Sequence, residues 1–386
     1  MSRRGANEGT IRLRPDGRWE ARVLVTGPDG RRIRRSLLAR TRTEVRAKLA
    51  DALRAEATGL PHPAERLTVG VFLDKWLRES VRPTVRPRTY VSYAGIVRVH
   101  LAPGLGHLPL ARLTPQQVQA FLNAKSSEKL APRTVAYIRA VLRQALGQAE
   151  RWGLVTRNAA RLAEPPRVPR REVSPLSPVE ARRFLEAIRG DRLEALYLVA
   201  LGAGLRQGEI LGLAWTDIDV ERATLTVRHA LQRVNSVLIL VEPKSATSRR
   251  VVALPLIVLV ALRVHGTRQR EDRLLAGSRW HDDPRGLVFT TTIGTPMDGI
   301  AVTRRFQALL AGAGLPRQRF HDLRHACASL LLAQGVAPRV VMETLGHSQI
   351  SLTLNTYSHV IPALGRAAAE QMDAVLAARS EGSATG

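Results

Sequence analysis

Apolar residues recur along this chain with two different spacings, and the change of spacing divides it. From Thr10 to Leu37 the character alternates residue by residue, in the runs Thr10 to Arg14, Arg18 to Thr26 and Arg31 to Leu37. Pro15-Asp16-Gly17 and Pro28-Asp29-Gly30 separate these runs, and such residues favour tight turns. The spacing then becomes helical: Thr41 followed by Glu44 is a capping-box signature, and Val45, Leu49 and Leu53 share one face. Residues 1–60 are therefore expected to form a three-stranded sheet with one helix.

After Leu60-Pro61-His62-Pro63, residues 66–160 show helical spacing throughout. Thr68 is placed to cap a helix carrying Val71, Phe72, Trp76 and Leu77. Thr114-Pro115-Gln116-Gln117 combines an N-cap, a first-turn proline and a capping glutamine, and opens a helix through Val118, Phe121 and Leu122. A longer helix is expected from about Arg133 to Trp152, with Val135, Ile138, Val141, Leu142 and Ala145 inward. Residues 161–175 are rich in proline and arginine and are expected to be a non-helical linker. Ser177-Pro178-Val179-Glu180 starts the last domain, 176–378, which is mainly helical with strands at Thr224 to Val227, Val237 to Val241 and Arg250 to Leu254. Residues 379–386 are expected to be a disordered tail, and the fold class is multidomain α+β.

Charge changes the picture. Lys plus Arg number 59 against 33 for Asp plus Glu, a formal charge of +26 spread over the whole length. Such a surplus suits a polyanion, most commonly nucleic acid. The single cysteine, Cys327, sits in an apolar run, which reads as a buried small hydrophobe and excludes a disulfide within the chain. The longest apolar stretch, Leu254 to Leu262, contains Pro255 and is too short for a bilayer, so an intracellular, cytoplasmic protein is expected.

The candidate chemistry lies in the second half. Arg206 follows Gly202-Ala203-Gly204 and leads into a helix; its planar fork suits two phosphate oxygens, or else a surface ion pair with Glu209. Lys244 lies between two strand candidates and by itself reads as an ordinary solvated lysine, with Arg249 and Arg250 as neighbours that tune it or touch DNA. In His321-Asp322-Leu323-Arg324-His325, positions 321, 324 and 325 share a helix face, bringing imidazole and guanidinium to one phosphate. A metal site on these histidines lacks the glutamate of HEXXH and an evident third ligand. Leu345-Gly346-His347 ends a helix with glycine and presents a histidine. Tyr357 follows; a phenol with a pKa of about 10 is a modest nucleophile that needs a proton acceptor and nearby positive charge. Tyr90, Tyr93, Tyr137 and Tyr197 lack such flanks and read as packing residues.

The order Arg206, Lys244, His321, Arg324, His347, Tyr357, with the motifs around them, resembles the tyrosine recombinases of the phage-integrase type. The resemblance implies Tyr357 as nucleophile, Arg206 and Arg324 as phosphate clamps, Lys244 on a mobile hairpin turn as general acid, and His321 and His347 as phosphate hydrogen-bond partners. It implies an arm-type DNA-binding domain at residues 1–60, with Arg12, Arg14, Arg32 and Arg34 as candidate contacts. A core-binding domain at 66–160 would use Arg86, Arg88, Arg133 and Arg139. It further implies arm and core attachment sites, a homotetramer on DNA, a Holliday junction, and helpers of the excisionase and DNA-bending kind. No metal or cofactor is called for. Residues 363–377 form an amphipathic helix that packs within the chain or docks on a neighbour. The competing readings are a type IB topoisomerase-like enzyme and a non-catalytic DNA-binding regulator. A metal-dependent nuclease would want clustered carboxylates, and the acidic residues near these motifs are isolated.

Overall fold

The computed structural model describes residues 9–26, 32–57, 67–169, 174–242, 249–346, 369–370, 372–373 and 376. Among them, no helix is long and apolar enough to cross a membrane. The chain divides into two units, Met1–Arg170 and Arg171–Gly386.

The first unit begins with β1 (Thr10–Leu13), β2 (Trp19–Thr26) and β3 (Arg32–Ala39), an antiparallel sheet in that order, followed by α1 (Arg42–Ala57). The Thr41 hydroxyl accepts the Glu44 backbone N–H at 3.2 Å, as the capping signature requires. Alternation puts Ala21, Val23, Val25, Leu37 and Ala39 on one sheet face, buried against Val45, Leu49 and Ala52 of α1. The opposite face carries Arg12, Arg22 and Arg34, paired in register with Glu20, Ser36 and Leu24. Glu20 is buried there, accepting from Arg12 Nε at 2.6 Å and Arg22 Nε at 3.3 Å. Hydrogen bonds from Arg12 and Ser36, against a smaller effect of burial, hold its pKa down to about 2.

The helical part of this unit comprises α2 (Val69–Trp76), α3 (Pro87–Ile96), α4 (Ala102–Leu105), α5 (Pro115–Ser127), α6 (Pro132–Arg151) and α7 (Ala159–Leu162). Its core holds Phe72, Trp76, Val118, Leu122, Ile138 and Leu142. The Thr114–Gln117 capping box forms with both reciprocal bonds. The boundary at residue 160 needs correction. Asn158 caps α7, and Ala159, Ala160 and Ala163 are buried in the bundle core, so the domain continues into the segment expected to be linker.

The second unit contains α8 (Pro178–Ala187), α9 (Glu194–Gly202), α10 (Gln207–Leu211), β4 (Ile218–Asp219), β5 (Thr224–Thr226), β6 (Ala230–Val234), β7 (Val237–Val241) and β8 (Val251–Ala253). There follow α11 (Leu256–Ala276), α12 (Gly299–Gly312), α13 (Asp322–Ala333) and α14 (Pro338–Leu345). Helix α9 is apolar on every side and buried from Ala195 to Leu201, so it forms the centre, with α11 and α13 packed on it. The strands form two sheets: β4-β5-β8, and the ribbon β6-β7. Among the described residues β7 and β8 therefore pair with different partners. The expected hairpin turn carrying Lys244 lies outside the described residues. Residues 369–370, 372–373 and 376 are helical, with Met372 and Leu376 exposed; the rest of the expected terminal helix lies outside the described residues.

Candidate functional site

The site is built where α9 ends. Gly204, at φ +62°, takes a left-handed conformation, and a Cβ there would lie 2.5 Å from Leu345 Cδ2. This turn delivers Arg206 to the N-terminus of α10, with extended backbone angles. Its backbone N–H donates to Glu209 Oε2 at 2.9 Å and its Nη1 to Oε1 at 2.6 Å. From the other side Arg250 Nη2 donates to Glu209 Oε2 at 3.0 Å. The Arg250 and Glu209 side chains are each only 6% exposed, whereas that of Arg206 is 40% exposed. Burial pushes the Glu209 carboxyl up, but Arg250 and then Arg206 more than reverse this and hold it below the usual range. It is thus an anion that fixes two cations, one inward and one facing solvent.

Three arginines meet the end of α14. The last carbonyls of a helix have no partners within it and carry the negative end of its dipole. Arg250 Nε donates to the Thr344 carbonyl at 2.7 Å, Arg324 Nη2 to that of Leu345, and Arg206 Nη2 to that of Gly346 at 3.2 Å. Gly346 makes this possible with a left-handed φ of +65°. Arg324 is almost wholly buried, and its Nη1 donates to the Gly204 carbonyl at 2.6 Å. The two expected clamps, Arg206 and Arg324, thereby share one scaffold of consecutive carbonyls.

His321 stands at the N-cap of α13 rather than within it, because the helix begins at Asp322. Asp322 fixes that start by accepting the Arg319 backbone N–H and its Nη2, both at 2.7 Å. The rings of His321 and His325 meet edge to face with centroids 5.0 Å apart. The packed surroundings of His321 push its pKa down to about 4, with His325, Arg324 and Arg206 acting the same way and Asp322 opposing. Its exposed surface lets solvent moderate this, but the direction leaves a neutral imidazole at neutral pH. His325 is likewise lowered, by burial first, against Asp322 and with Arg319 and Arg324. Cys327, beneath the site, is buried, which pushes its thiol up to about 12.

The structure thus brings Arg206, Arg324 and His321 together, while Lys244, His347 and Tyr357 lie outside the described residues. The candidates elsewhere divide. Arg12, Arg32 and Arg34 are exposed, and Arg14 lies 3.4 Å from Asp16. Arg88 and Arg133 are exposed, and Arg86 is half-buried at the N-cap of α3. Arg139 is turned inward: its Nε and Nη2 donate to the Ala163 carbonyl at 2.9 and 2.6 Å, and Nη2 also to Arg161 at 3.3 Å. That fork is engaged by backbone carbonyls of its own unit.

The family models for the phage integrase family and for the phage integrase N-terminal SAM-like domain match residues 176–363 and 68–126. A "Tyrosine recombinase XerC-like" protein of Caldanaerobacter subterraneus is 34% identical over 367 residues, covering 90% of this chain and 94% of that one. The chain belongs to the tyrosine recombinase family. Its fold is shared with the Tn1549 transposon integrase in complex with a circular intermediate DNA, at a TM-score of 0.68 and 22% identity over 79% of this chain and 99% of that one. It is also shared with a lambda integrase tetramer bound to a Holliday junction, at a TM-score of 0.55 and 20% identity over 88% and 96% of the two chains.

Two parts of this recombinase's site went unread in its sequence. Arg250 was expected beside DNA or Lys244 and is instead buried on Glu209; Arg249 is the exposed member, 2.6 Å from Glu242. Strand alternation carries the signal, since Arg250 and Val252 are buried while Val251 is exposed. Glu209 was weighed only as a surface partner of Arg206, although its place three residues into a helix favours a bond back to the cap.

Proposed function

We propose that this recombinase cuts and rejoins DNA at specific attachment sites, integrating a phage or other mobile element and, with helpers, excising it. Tyr357 attacks the scissile phosphorus through its phenol oxygen, whose proton passes to a histidine of the site. The bond from phosphorus to the 5′ oxygen breaks, Lys244 protonates that oxygen, and a 3′-phosphotyrosine remains. Attack by a 5′ hydroxyl on this ester reverses the step, so religation needs no external energy source. Arg206 and Arg324 hold the nonbridging oxygens, and His321 and His347 donate hydrogen bonds to them and assist proton transfer.

The observation that carries this reading is the union of Arg206, Arg324 and Arg250 on three consecutive carbonyls beside His321. One buried carboxylate balances part of that charge, and Arg206 is the member whose side chain faces solvent, where a phosphate would meet it. Residues 1–60 would bind arm sites through Arg12, Arg14, Arg32 and Arg34, and the helical bundle would bind core sites through Arg86, Arg88 and Arg133. Residues 176–378 would carry the chemistry, with the proline-rich segment before them as the linker. Four protomers would exchange strands through a Holliday junction, as the tetrameric relative's state suggests. An excisionase and a DNA-bending host protein are the accessory partners, and the nucleoid is the place of action.

The test is covalent trapping. The protein is mixed in EDTA with DNA fragments flanking its own gene and denatured in detergent, and retained DNA is sequenced. Adducts concentrated on one short sequence support the reading. Tight binding without an adduct on any fragment, at any protein concentration, would favour a regulator. With about 6–10 phosphate contacts, affinity should fall roughly 10³–10⁵-fold between ~50 and ~200 mM salt.

A further inference from the structure

The second unit has a groove of about 540 Å³ that shares none of Arg206, Arg250, Arg324 or His321. It runs along α11 and the loop from Trp280 to Gly294. Two tryptophans form its walls, and each is held in place. Trp215 Nε1 donates to Gln269 Oε1 at 2.7 Å, and the ring lies where a Cβ on Gly266 would stand only 3.1 Å away. Trp280 Nε1 donates to Asp282 at 3.1 Å, and its ring covers Gly294, where a Cβ would come within 2.8 Å. Gly294 has φ +81°, so the loop is shaped to seat that ring.

The charges along the groove do not cancel. Arg273 is matched by Asp282 at 2.9 Å, and Asp283 by Arg285 at 3.6 Å. Arg263 and Arg270 have no carboxylate partner among the described residues; Arg270 reaches only the Thr267 hydroxyl, at 3.1 Å. One turn beyond Arg270, Leu274 is 83% exposed and extends the same helix face. Pinned tryptophan and arginine together have the composition of an interaction hot spot, and the exposed leucine adds apolar surface beside them. A groove of this volume between half-buried tryptophans has room for a large side chain together with its neighbours, and the unmatched arginines call for carboxylates beside it.

We propose that this groove docks an acidic segment of a partner protein. The segment seats an aromatic or large aliphatic side chain between Trp215 and Trp280 and sets its carboxylates on Arg263 and Arg270. The assignment is independent of the strand-transfer chemistry, because it uses none of those residues.

The experiment uses the full-length protein and a fluorescein-labelled nonapeptide of glutamates around a central phenylalanine, read by anisotropy at ~150 mM salt. A serine analogue tests the apolar seat. The variant Arg263→Glu/Arg270→Glu is compared with Arg182→Glu/Arg189→Glu, which makes the same charge change on two exposed arginines, one in α8 and one in the turn after it. The proposal expects the phenylalanine peptide to bind at least about tenfold more tightly than the serine analogue, as a hot-spot contact would. It also expects a loss of about tenfold or more in the groove variant and under about threefold in the control. Equal losses in both variants, or no preference for phenylalanine, would reduce the binding to the protein's general charge and overturn the proposal. So would an absence of peptide binding together with a self-association that only the groove variant abolishes, since the occupant would then be a second copy.

Discussion

Glu209→Gln is the substitution that weighs most on the site. It keeps the shape of the side chain and removes its charge. The Arg206 contact should matter little to stability, since that side chain is 40% exposed and such pairs contribute about 0–1 kcal/mol. Arg250 decides the size. Its side chain is 6% exposed, and breaking a buried pair from one side costs about 3–5 kcal/mol because a charge is left without compensation. At roughly 2–4 °C per kcal/mol for a unit of this size, the melting transition of the second unit should fall by about 6–20 °C. Calorimetry on the full-length protein measures it. The double variant Glu209→Gln/Arg250→Met should recover much of the loss, because it removes both buried charges. The sign with pH follows from the lowered pKa. The contribution of Glu209 is present above the ordinary glutamate value of 4.5 and is lost as pH falls through the folded-state value. A drop below about 3 °C, or a double variant no better than the single one, would refute the role given to this carboxylate.

Gly204→Ala should cost roughly 2–5 kcal/mol, since it combines left-handed backbone with a Cβ 2.5 Å from Leu345, and should impair cleavage by moving the carbonyl that holds Arg324. Gly17→Ala, at φ +77° in open space, should cost only about 1–2 kcal/mol; equal losses in urea titrations would contradict the packing argument. For His321, a folded pKa near 4 lies below the ordinary 6.5, so its contribution is complete above 6.5 and is lost as pH falls toward 4. His321→Gln should flatten that part of the stability profile, and an unchanged profile would count against a neutral histidine. Arg139→Ala should lower stability by about 1–3 kcal/mol and leave the salt slope of DNA binding alone. Arg133→Ala should do the reverse, reducing the slope by about one; a swapped outcome would misplace both residues.

Local chemistry made much of the fold legible. The caps at Thr41, Thr114 and Ser177 and the inward faces of α1 and α6 depend on residues a few positions apart, and all form. What was missed depends on distant pairing. Strand β4 has only two residues, too few for a periodic signal, and β6, with Gln232 and Arg233 in its five residues, is defined by its pairing with β7. Arg139 and Arg250 look like surface cations until the carbonyls of Ala163 and Thr344 come to them from elsewhere in the chain. The convergence of Arg206 and Arg324 was expected from residue types, but its scaffold, the end of α14, exists only after α9, α13 and α14 pack. Lys244, His347 and Tyr357 lie outside the described residues, so their roles rest on sequence resemblance.

The central claim is the covalent link to Tyr357, and mass mapping of the trapped adduct tests it most directly. DNA trapped in EDTA is digested to a nucleotide remnant, the protein is cut into peptides, and the remnant is located by fragmentation. The account predicts the remnant on Tyr357, and predicts that Tyr357→Phe binds the same DNA with unchanged affinity and forms no adduct. A remnant on another residue, or an adduct that persists in Tyr357→Phe, would contradict it.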